Sequence, residues 1–401
     1  MSRQGRPLQT LLAQTRDLWD RDTFRPHVRG EFSKAVRCGT LSLGAEVFAS
    51  ANGERVVPHT CKSRACPSCG HKATLMWQRD LEHDLPEVPY MHLSLTMPDV
   101  LWPLFRRNRR LLHDLAVLGA HVLQRWTKQR YGIRRLMVVF PHTFGRHLNF
   151  NCHLHILISE GGLDELGTRW RGQAPLNREA VMRMWQYAVI TYLRQAHRAG
   201  LLIDDRGPRA LVGLLRSQYE RWWNVHVQRF QDKAHVLRYA GRYARKPPIA
   251  QHRLRHADRN GVRFQTKDTR TKQLVDTVYA TEDFLAALAD HLPDRYRHNV
   301  RYFGLLAPRL KAKAYHLLFA RLGQRRQAKP SRLSWATEMQ RAFGIDPLVD
   351  SRGERFTWVR SLPPLPAQSF AAETSRASGL LRRGTRSRVP SQPTRALVGS
   401  G

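Results

Sequence analysis

The stretch Leu148-Asn-Phe-Asn-Cys-His-Leu-His-Ile-Leu-Ile-Ser159 decides the fold, because its side chains divide cleanly between the two faces of a β-strand. One face is wholly apolar and predicts packing against helices: Phe150, Cys152, Leu154, Ile156 and Ile158. The other face is mostly polar and carries two imidazoles: Asn149, Asn151, His153, His155 and Leu157. The strand therefore predicts a sheet with one buried face and one face available for chemistry.

The surrounding sequence mixes strand and helix patterns, and this mixture predicts the α+β class. Several strands alternate in the way that antiparallel strands do. The predicted strands include RRLMVVF at 134–140, PYMHLSLTMP at 89–98 and WNVHVQRF at 223–230, with GVRFQTKD and QLVDTVYA as a late hairpin. The predicted helices cover 101–130, 178–200, 208–222, 232–246 and most of 281–345.

The two histidines of the decisive strand indicate a candidate metal site. His153 and His155 lie one strand period apart and project from the same face. A rigid pair of imidazoles can chelate one divalent ion. The alternative interpretation is two ordinary polar residues on the open face of a sheet.

Three cysteines within nine residues indicate a second metal site, of the structural zinc type. Cys66 and Cys69 form a C-x-x-C knuckle, and Cys61 adds a third ligand. The fourth ligand remains open among Cys38, His71 and His59. The alternative is a group of small buried residues in a reduced core.

Two tyrosines at helical spacing form a candidate nucleophile pair. Tyr239 and Tyr243 lie four residues apart in the predicted helix 232–246, which places both phenols on one face. A positioned tyrosine can attack an activated phosphodiester, and Arg242 and Lys246 would hold its phosphates. The alternative is an amphipathic helix with two core tyrosines.

Charge and composition narrow the function classes. The chain has 401 residues and a net charge of +35, which predicts a polyanionic partner. We find no apolar run long enough to span a membrane and no secretory signal, so we expect a cytosolic protein without a membrane partner. Arginines dominate beyond residue 361, and we expect a disordered basic tail over 361–401.

Together these motifs resemble one family, the two-tyrosine HUH transposases. Within it the chain is similar to the rolling-circle transposases of insertion-sequence family ninety-one, which carry an N-terminal zinc-binding domain. The resemblance rests on C-x4-C-x2-C at 61–69, PYMHLSLTMP, CHLHILISEGG and YAGRYARK, and it continues through GVRFQTKD, RYFGLLAP and LSWATEMQRAFGIDPL. The ordered set covers about residues 35–345, and the family's His-hydrophobic-His motif falls on His153-Leu154-His155.

The resemblance implies a ferredoxin-like or RRM-like antiparallel palm backed by helices, and metal-dependent cutting of single-stranded DNA. Tyr239 and Tyr243 correspond to the family's paired tyrosines. One of them forms a 5′-phosphotyrosine bond and leaves a free 3′-hydroxyl, while the other serves the second cleavage and strand transfer. Mg²⁺ or Mn²⁺ is the catalytic ion, and HUH enzymes commonly add a third ligand. His235 is the first candidate for that ligand, followed by His92 and His226.

The resemblance also implies a domain order. We expect a helix and zinc-binding domain over 1–85, an HUH nuclease over 86–300 with a helical insertion at about 164–222, and a helical region over 301–360. The chain departs from the family in two places. It has SLGAEVFASANGERVV at 42–57 in place of an additional C-x-x-C, and VDSRGERF at 349–356 in place of a C-terminal cysteine knuckle.

Three functions remain open on the sequence. The first is a bacterial transposase, associated with the nucleoid, that nicks and rejoins DNA. The second is a rolling-circle replication initiator, which uses the same chemistry at a replication origin. The third is a zinc-containing DNA-binding protein without catalysis, which suits the basic charge and the cysteines equally well.

Overall fold

The protein is described from a computed structural model, which describes residues 6–244, 247–268, 270–326, 328, 331, 333–344 and 346–365. Most of the predicted basic tail, from residue 366 onward, lies outside the described residues. In the described part the helices are α1 (Pro7–Gln14), α2 (Arg16–Trp19), α3 (Pro26–Val36), α4 (Pro67–Asp84), α5 (Trp102–Arg107), α6 (Leu112–Tyr131), α7 (Arg178–Arg198), α8 (Pro208–Ser217), α9 (Lys233–Ala240), α10 (Thr281–Asp290), α11 (Pro308–Arg321) and α12 (Trp335–Phe343).

The strands belong to four small sheets. They are β1 (Ala45–Ser50), β2 (Gly53–Pro58), β3 (Tyr90–Leu95), β4 (Ile133–Arg134), β5 (Leu136–Phe144), β6 (Phe150–Ser159), β7 (Gly162–Asp164), β8 (Trp170–Arg171), β9 (Val225–Phe230), β10 (Leu254–Ala257), β11 (Val262–Lys267), β12 (Leu274–Tyr279), β13 (Arg301–Gly304) and β14 (Thr357–Leu362). Every pairing between them is antiparallel, so the prediction of a mixed α+β protein with antiparallel sheets is confirmed.

The central sheet has five strands in the order β13-β5-β6-β3-β9, with helices on both faces. The decisive strand β6 lies in its middle, between β5 and β3. As its alternation predicts, Cys152, Leu154, Ile156 and Ile158 are fully buried in one apolar cluster, which α5, α6 and α7 complete. The opposite face of the sheet packs against residues of α4, α9 and α11. The histidine face is therefore partly covered by the helix that carries Tyr239.

The N-terminal helices do not pack by themselves. Leu11 of α1 and Phe32 of α3 share a buried cluster with Phe264 of β11 and Phe284 of α10. The short sheet of β1 and β2 gains its third strand from β14, in the order β14-β1-β2. The chain thus returns twice to its N-terminal region, where the sequence predicts a self-contained segment over 1–85.

The C-terminal elements differ from the predicted helical region 301–360. Helices α11 and α12 lie there, but β13 forms an edge of the central sheet and β14 pairs with β1. Both strands are short, and local sequence alone shows no partner for them. Within the described chain, none of the helices has both the length and the apolar composition that crossing a membrane requires.

Candidate active site

Four cysteines converge on one point beside the N-terminal helices. Cys38 follows α3, Cys61 follows β2, and Cys66 and Cys69 lie at the start of α4. The sulfur–sulfur distances are 3.7 Å for Cys38–Cys69, 3.7 Å for Cys61–Cys69 and 3.6 Å for Cys38–Cys66. Zinc–sulfur bonds of about 2.3 Å place tetrahedral sulfurs about 3.8 Å apart. The cluster therefore has the dimensions of a closed zinc site with four thiolates.

The fourth member of the cluster is Cys38, and the two histidine alternatives lie elsewhere. His71 contacts the carbonyl oxygen of Ala342 through Nε2, at 3.2 Å. His59 contacts Glu46 through Nε2 and the carbonyl oxygen of Leu43 through Nδ1, each at 3.0 Å. Cys38 stands 23 residues before Cys61, so the folding of α3, and not local spacing, brings it to the site.

A second group of potential ligands lies on the polar face of the central sheet. It joins His153 and His155 of β6 with His142 of β5, and one nitrogen of each lies within 4.8 Å of the others. His142 stands directly opposite His153 in the ladder between the two strands. The sequence prediction missed His142 because it ended that strand at residue 140, whereas β5 continues to Phe144. The segment Pro141-His-Thr-Phe144 continues β5 opposite the histidine pair. This continuation of the strand is the feature that identifies His142.

On each of these rings, one nitrogen contacts a group outside the three histidines. Nδ1 of His153 donates to the carbonyl oxygen of Asn151 at 2.8 Å, and Nε2 of His142 donates to that of Tyr243 at 2.9 Å. Nδ1 of His155 lies 3.0 Å from Nε2 of His92. Partners of this kind fix the tautomer and the orientation of metal-binding histidines.

The spacing and the charge state of the rings suit a divalent ion. The Nε2 atoms of His153 and His155 are 3.0 Å apart, close to the separation of about 3.0 Å between adjacent ligands with bonds of about 2.1 Å in an octahedron. Burial lowers the pKa of His142 to about 3 and also lowers the pKa values of His153 and His155. All three are therefore neutral at pH 7, which is the form that binds metals.

The three histidines that the sequence suggested as third ligands lie outside this group. His235 is exposed at the start of α9 and pairs with Asp232, which caps that helix. His226 is exposed on β9. His92 lies on β3 and contacts Nδ1 of His155, but it is not a member of the group of three histidines. Instead of these three histidines, His142 lies beside His153 and His155.

The two tyrosines reach the histidine group from α9. The hydroxyl of Tyr243 donates to that of Tyr239 at 3.2 Å. The ring of Tyr243 stacks on His155 with centroids 3.8 Å apart, and Tyr239 lies against His92 at 4.8 Å. Burial and the hydrogen bond to Tyr239 raise the pKa of Tyr243. The fold therefore places both phenols beside the imidazoles.

The helix that carries the tyrosines is shorter than the predicted span of 232–246. It ends at Ala240, so Tyr243 lies in the turn that follows. Gly241 is pressed against Gln78, where an added Cβ would come within 2.3 Å of its Nε2. The turn tightens there, because the amides of Arg242 and Tyr243 each bond a carbonyl three residues back. Nevertheless, the hydroxyls of Tyr239 and Tyr243 are within hydrogen-bonding distance of each other.

The predicted phosphate contacts have different outcomes. Arg242 is exposed, and its guanidinium lies over the ring of Tyr239, 5.1 Å from the centroid. It is therefore available to a ligand at the tyrosine pair. Lys246 lies outside the described residues.

Acid should destabilise the protein because several buried histidines stay neutral in the folded state. Burial lowers the pKa of His92 and His142 to about 3 and that of His291 to about 4. An unfolded histidine titrates near about 6.5. Below that pH the unfolded chain binds more protons, so the free energy of unfolding falls by up to about 1.4 kcal/mol per pH unit for each such group.

Urea denaturation at pH 7, 6 and 5, without added divalent ions, measures this slope. The variant His291→Gln should reduce the slope by about one proton. Equal stability at all three pH values would contradict the assignment of neutral buried rings.

Two family models of transposases match the chain. Residues 137–314 match the family model described as "Putative transposase", and residues 10–97 match the model described as "Transposase zinc-binding domain". The transposase for insertion sequence element IS801 of Pseudomonas savastanoi pv. phaseolicola is 32% identical over 353 residues, which cover 84% of this chain and 85% of that protein. A Sinorhizobium fredii protein named "Putative transposase y4qJ" is 28% identical over 293 residues, covering 68% and 73%. No solved structure matches the chain significantly.

Proposed function

Because the chain belongs to the IS91 family of transposases, DNA-processing enzymes of insertion sequences, we propose that it nicks and rejoins single-stranded DNA through a 5′-phosphotyrosine intermediate during rolling-circle transposition. One observation carries the proposal. Two tyrosine hydroxyls, 3.2 Å apart, lie against a group of three neutral histidines on the central sheet. A nucleophile beside a group that can bind a metal suits the metal-assisted cleavage of a phosphodiester by tyrosine.

In the covalent step the oxygen of Tyr239 or Tyr243 forms a bond to the scissile phosphorus. The bond from phosphorus to the 3′ oxygen breaks, and that oxygen takes up a proton in place of the one lost by the tyrosine. The enzyme is then joined to the 5′ phosphate, and the other strand end is a free 3′-hydroxyl. Attack by a 3′-hydroxyl reverses the step and rejoins DNA, so no external energy source is needed.

The pair of tyrosines allows two such bonds at one site. The two hydroxyls are 3.2 Å apart in the free protein, so that while one tyrosine holds the first strand, the other is near enough to attack a second strand. The exposed guanidinium of Arg242, over the ring of Tyr239, is the proposed contact to the phosphate.

We assign the divalent ion to His142, His153 and His155, whose other ring nitrogens lie close together. When bound there, such an ion would polarise the non-bridging oxygens of the scissile phosphate and would stabilise the charge that develops on them. A set of three imidazoles favours Mn²⁺ over Mg²⁺, because Mg²⁺ prefers oxygen ligands and gives up water reluctantly.

We infer that the central sheet is the HUH palm. Its five antiparallel strands carry the histidines on β5 and β6, and α9 lies across the same face. The proposed nuclease then covers residues 86–304, since β13 completes the sheet just beyond the predicted boundary at 300. Helices α7 and α8 form the proposed insertion. The cysteine cluster and the matching zinc-binding model support a structural zinc in the N-terminal unit.

A covalent-adduct assay tests the proposal. Purified protein is mixed with labelled single strands from both flanks of its gene, with and without Mn²⁺, and separated on a denaturing gel. We expect a labelled adduct that depends on the metal and that mass spectrometry assigns to Tyr239 or Tyr243. Binding of strands from both flanks without any adduct would favour a DNA-binding protein without catalysis.

A further inference from the structure

A short segment beside the candidate active site exposes an aromatic ring in a strained conformation. This segment, residues 293–299, connects α10 to β13. Tyr296 within it is 83% exposed and has a φ angle of +63°, in the left-handed region that aromatic residues rarely adopt. The guanidinium of Arg295 lies over its ring, 4.8 Å from the centroid. Stability alone favours glycine or asparagine at such a position.

The segment lines a cavity that also reaches Tyr243. The cavity has a volume of about 360 Å³. Tyr296 and Arg297 line it, and so do His142 and Tyr243. A group bound in this cavity can therefore contact both this segment and residues that would perform the chemistry.

Contacts from the N-terminal unit hold the segment in place. Arg64, three residues after Cys61, donates to Oδ1 of Asn299 at 2.8 Å and to the carbonyl oxygen of Arg297 at 2.7 Å. Nε2 of His27 lies 3.0 Å from the carbonyl oxygen of Pro293. These contacts fix the backbone on both sides of Tyr296, so its ring stays exposed although its conformation is unfavourable.

The charges around the segment suit a polyanion. The carboxylate of Asp294 pairs with Arg25, Arg109 and His113, so its negative charge is compensated. The next residues, Arg295, Arg297 and His298, are exposed. An aromatic face beside exposed guanidinium groups is the combination that binds single-stranded nucleic acid, by stacking on bases and pairing with phosphates.

We propose that segment 293–299 is a contact site for single-stranded DNA, in which Tyr296 stacks on a base next to the scissile phosphate and Arg295 and Arg297 contact the backbone. This inference rests on the proposed function, because it names the part of the chain that holds the strand entering that site. The cavity then accommodates one nucleotide between Tyr296 and Tyr243.

Binding of a fluorescein-labelled oligothymidine of twenty nucleotides, measured by anisotropy at one fixed salt concentration, tests the role of Tyr296. Stacking on one base contributes about 1–3 kcal/mol, so Tyr296→Ala should raise Kd about 5- to 150-fold. Tyr296→Phe keeps the stacking face and should bind within about twofold of the wild type. Tyr187→Ala is the matched control, because Tyr187 is also exposed, at 60%, but lies on α7 away from the cavity.

A strand with abasic sites separates stacking from general loss of structure. It keeps the phosphates and removes the bases, so the wild type and Tyr296→Ala should bind it equally. In addition, Tyr296→Gly should weaken binding of the oligothymidine while it keeps or raises Tm, since glycine adopts the left-handed conformation without strain.

The outcomes distinguish this inference from the proposed function. Equal binding of oligothymidine by the wild type and Tyr296→Ala, or no binding by the wild type, would overturn the stacking site. A wild type that forms no covalent adduct but loses affinity on Tyr296→Ala would overturn the nicking activity and support the contact site.

Discussion

The double variant Tyr239→Phe, Tyr243→Phe should lower the yield of covalent protein–DNA adduct by at least about 1,000-fold, because it removes both proposed nucleophiles. Phenylalanine keeps the ring contacts with His92 and His155 and loses only the two hydroxyls. Binding of single-stranded DNA should therefore change by less than about threefold, since stacking and phosphate contacts remain. Each single variant should keep the first cleavage at a reduced rate and lose strand transfer.

The adduct yield is measured on a denaturing gel, and DNA binding is measured separately by anisotropy. Tyr187→Phe removes a hydroxyl from an exposed tyrosine on α7 and serves as the matched control. If the double variant forms as much adduct as the wild type, neither tyrosine is the nucleophile.

The second large effect concerns the cysteine cluster. Cys61→Ser removes one of four converging thiols, and we expect loss of bound zinc together with a fall in the free energy of unfolding of at least about 4 kcal/mol. The reason is that the loop from Cys61 to Cys66 has few apolar side chains, so the metal must supply much of its stability. Elemental analysis gives the zinc content, and urea denaturation gives the stability.

Cys152→Ser is the control for this variant, because Cys152 is fully buried on the apolar face of β6, outside the cluster. It should cost about 1–3 kcal/mol and leave the zinc content unchanged. A Cys61→Ser protein with the same zinc content and stability as the wild type would contradict the four-cysteine site. A wild-type protein that contains no zinc would also contradict the four-cysteine zinc site.

Alternation along β6 was sufficient to predict the sheet and its two faces. It placed Leu154 and Ile156 in the core and His153 and His155 together on the opposite face, because side chains in a strand alternate between its two faces. Alternation does not show which residue of the neighbouring strand pairs with each residue of β6. His142 was missed for that reason, since its position depends on how far β5 continues.

The tyrosine pair and Cys38 show what sequence patterns miss when a position depends on a turn or on long-range packing. Helical spacing predicted that the two phenols lie on one face. Their hydroxyls are indeed 3.2 Å apart, although the helix ends at Ala240 and a tight turn places Tyr243. Cys38 is set by the packing of α3 against distant residues of β11 and α10. Such long-range contacts leave no local pattern in the sequence, so the prediction left the fourth ligand open.

The pairing of β1 with β14 has a consequence for how the protein is made. The two strands of the first sheet leave the ribosome early, but their third strand follows roughly 300 residues later. At about 5–20 residues per second, the nascent chain displays the open edge of β1 for roughly 15–60 s. An unpaired edge is a template for pairing with other chains. The first sheet to emerge is therefore among the last to close, and each newly synthesised molecule passes through an interval in which that edge needs protection.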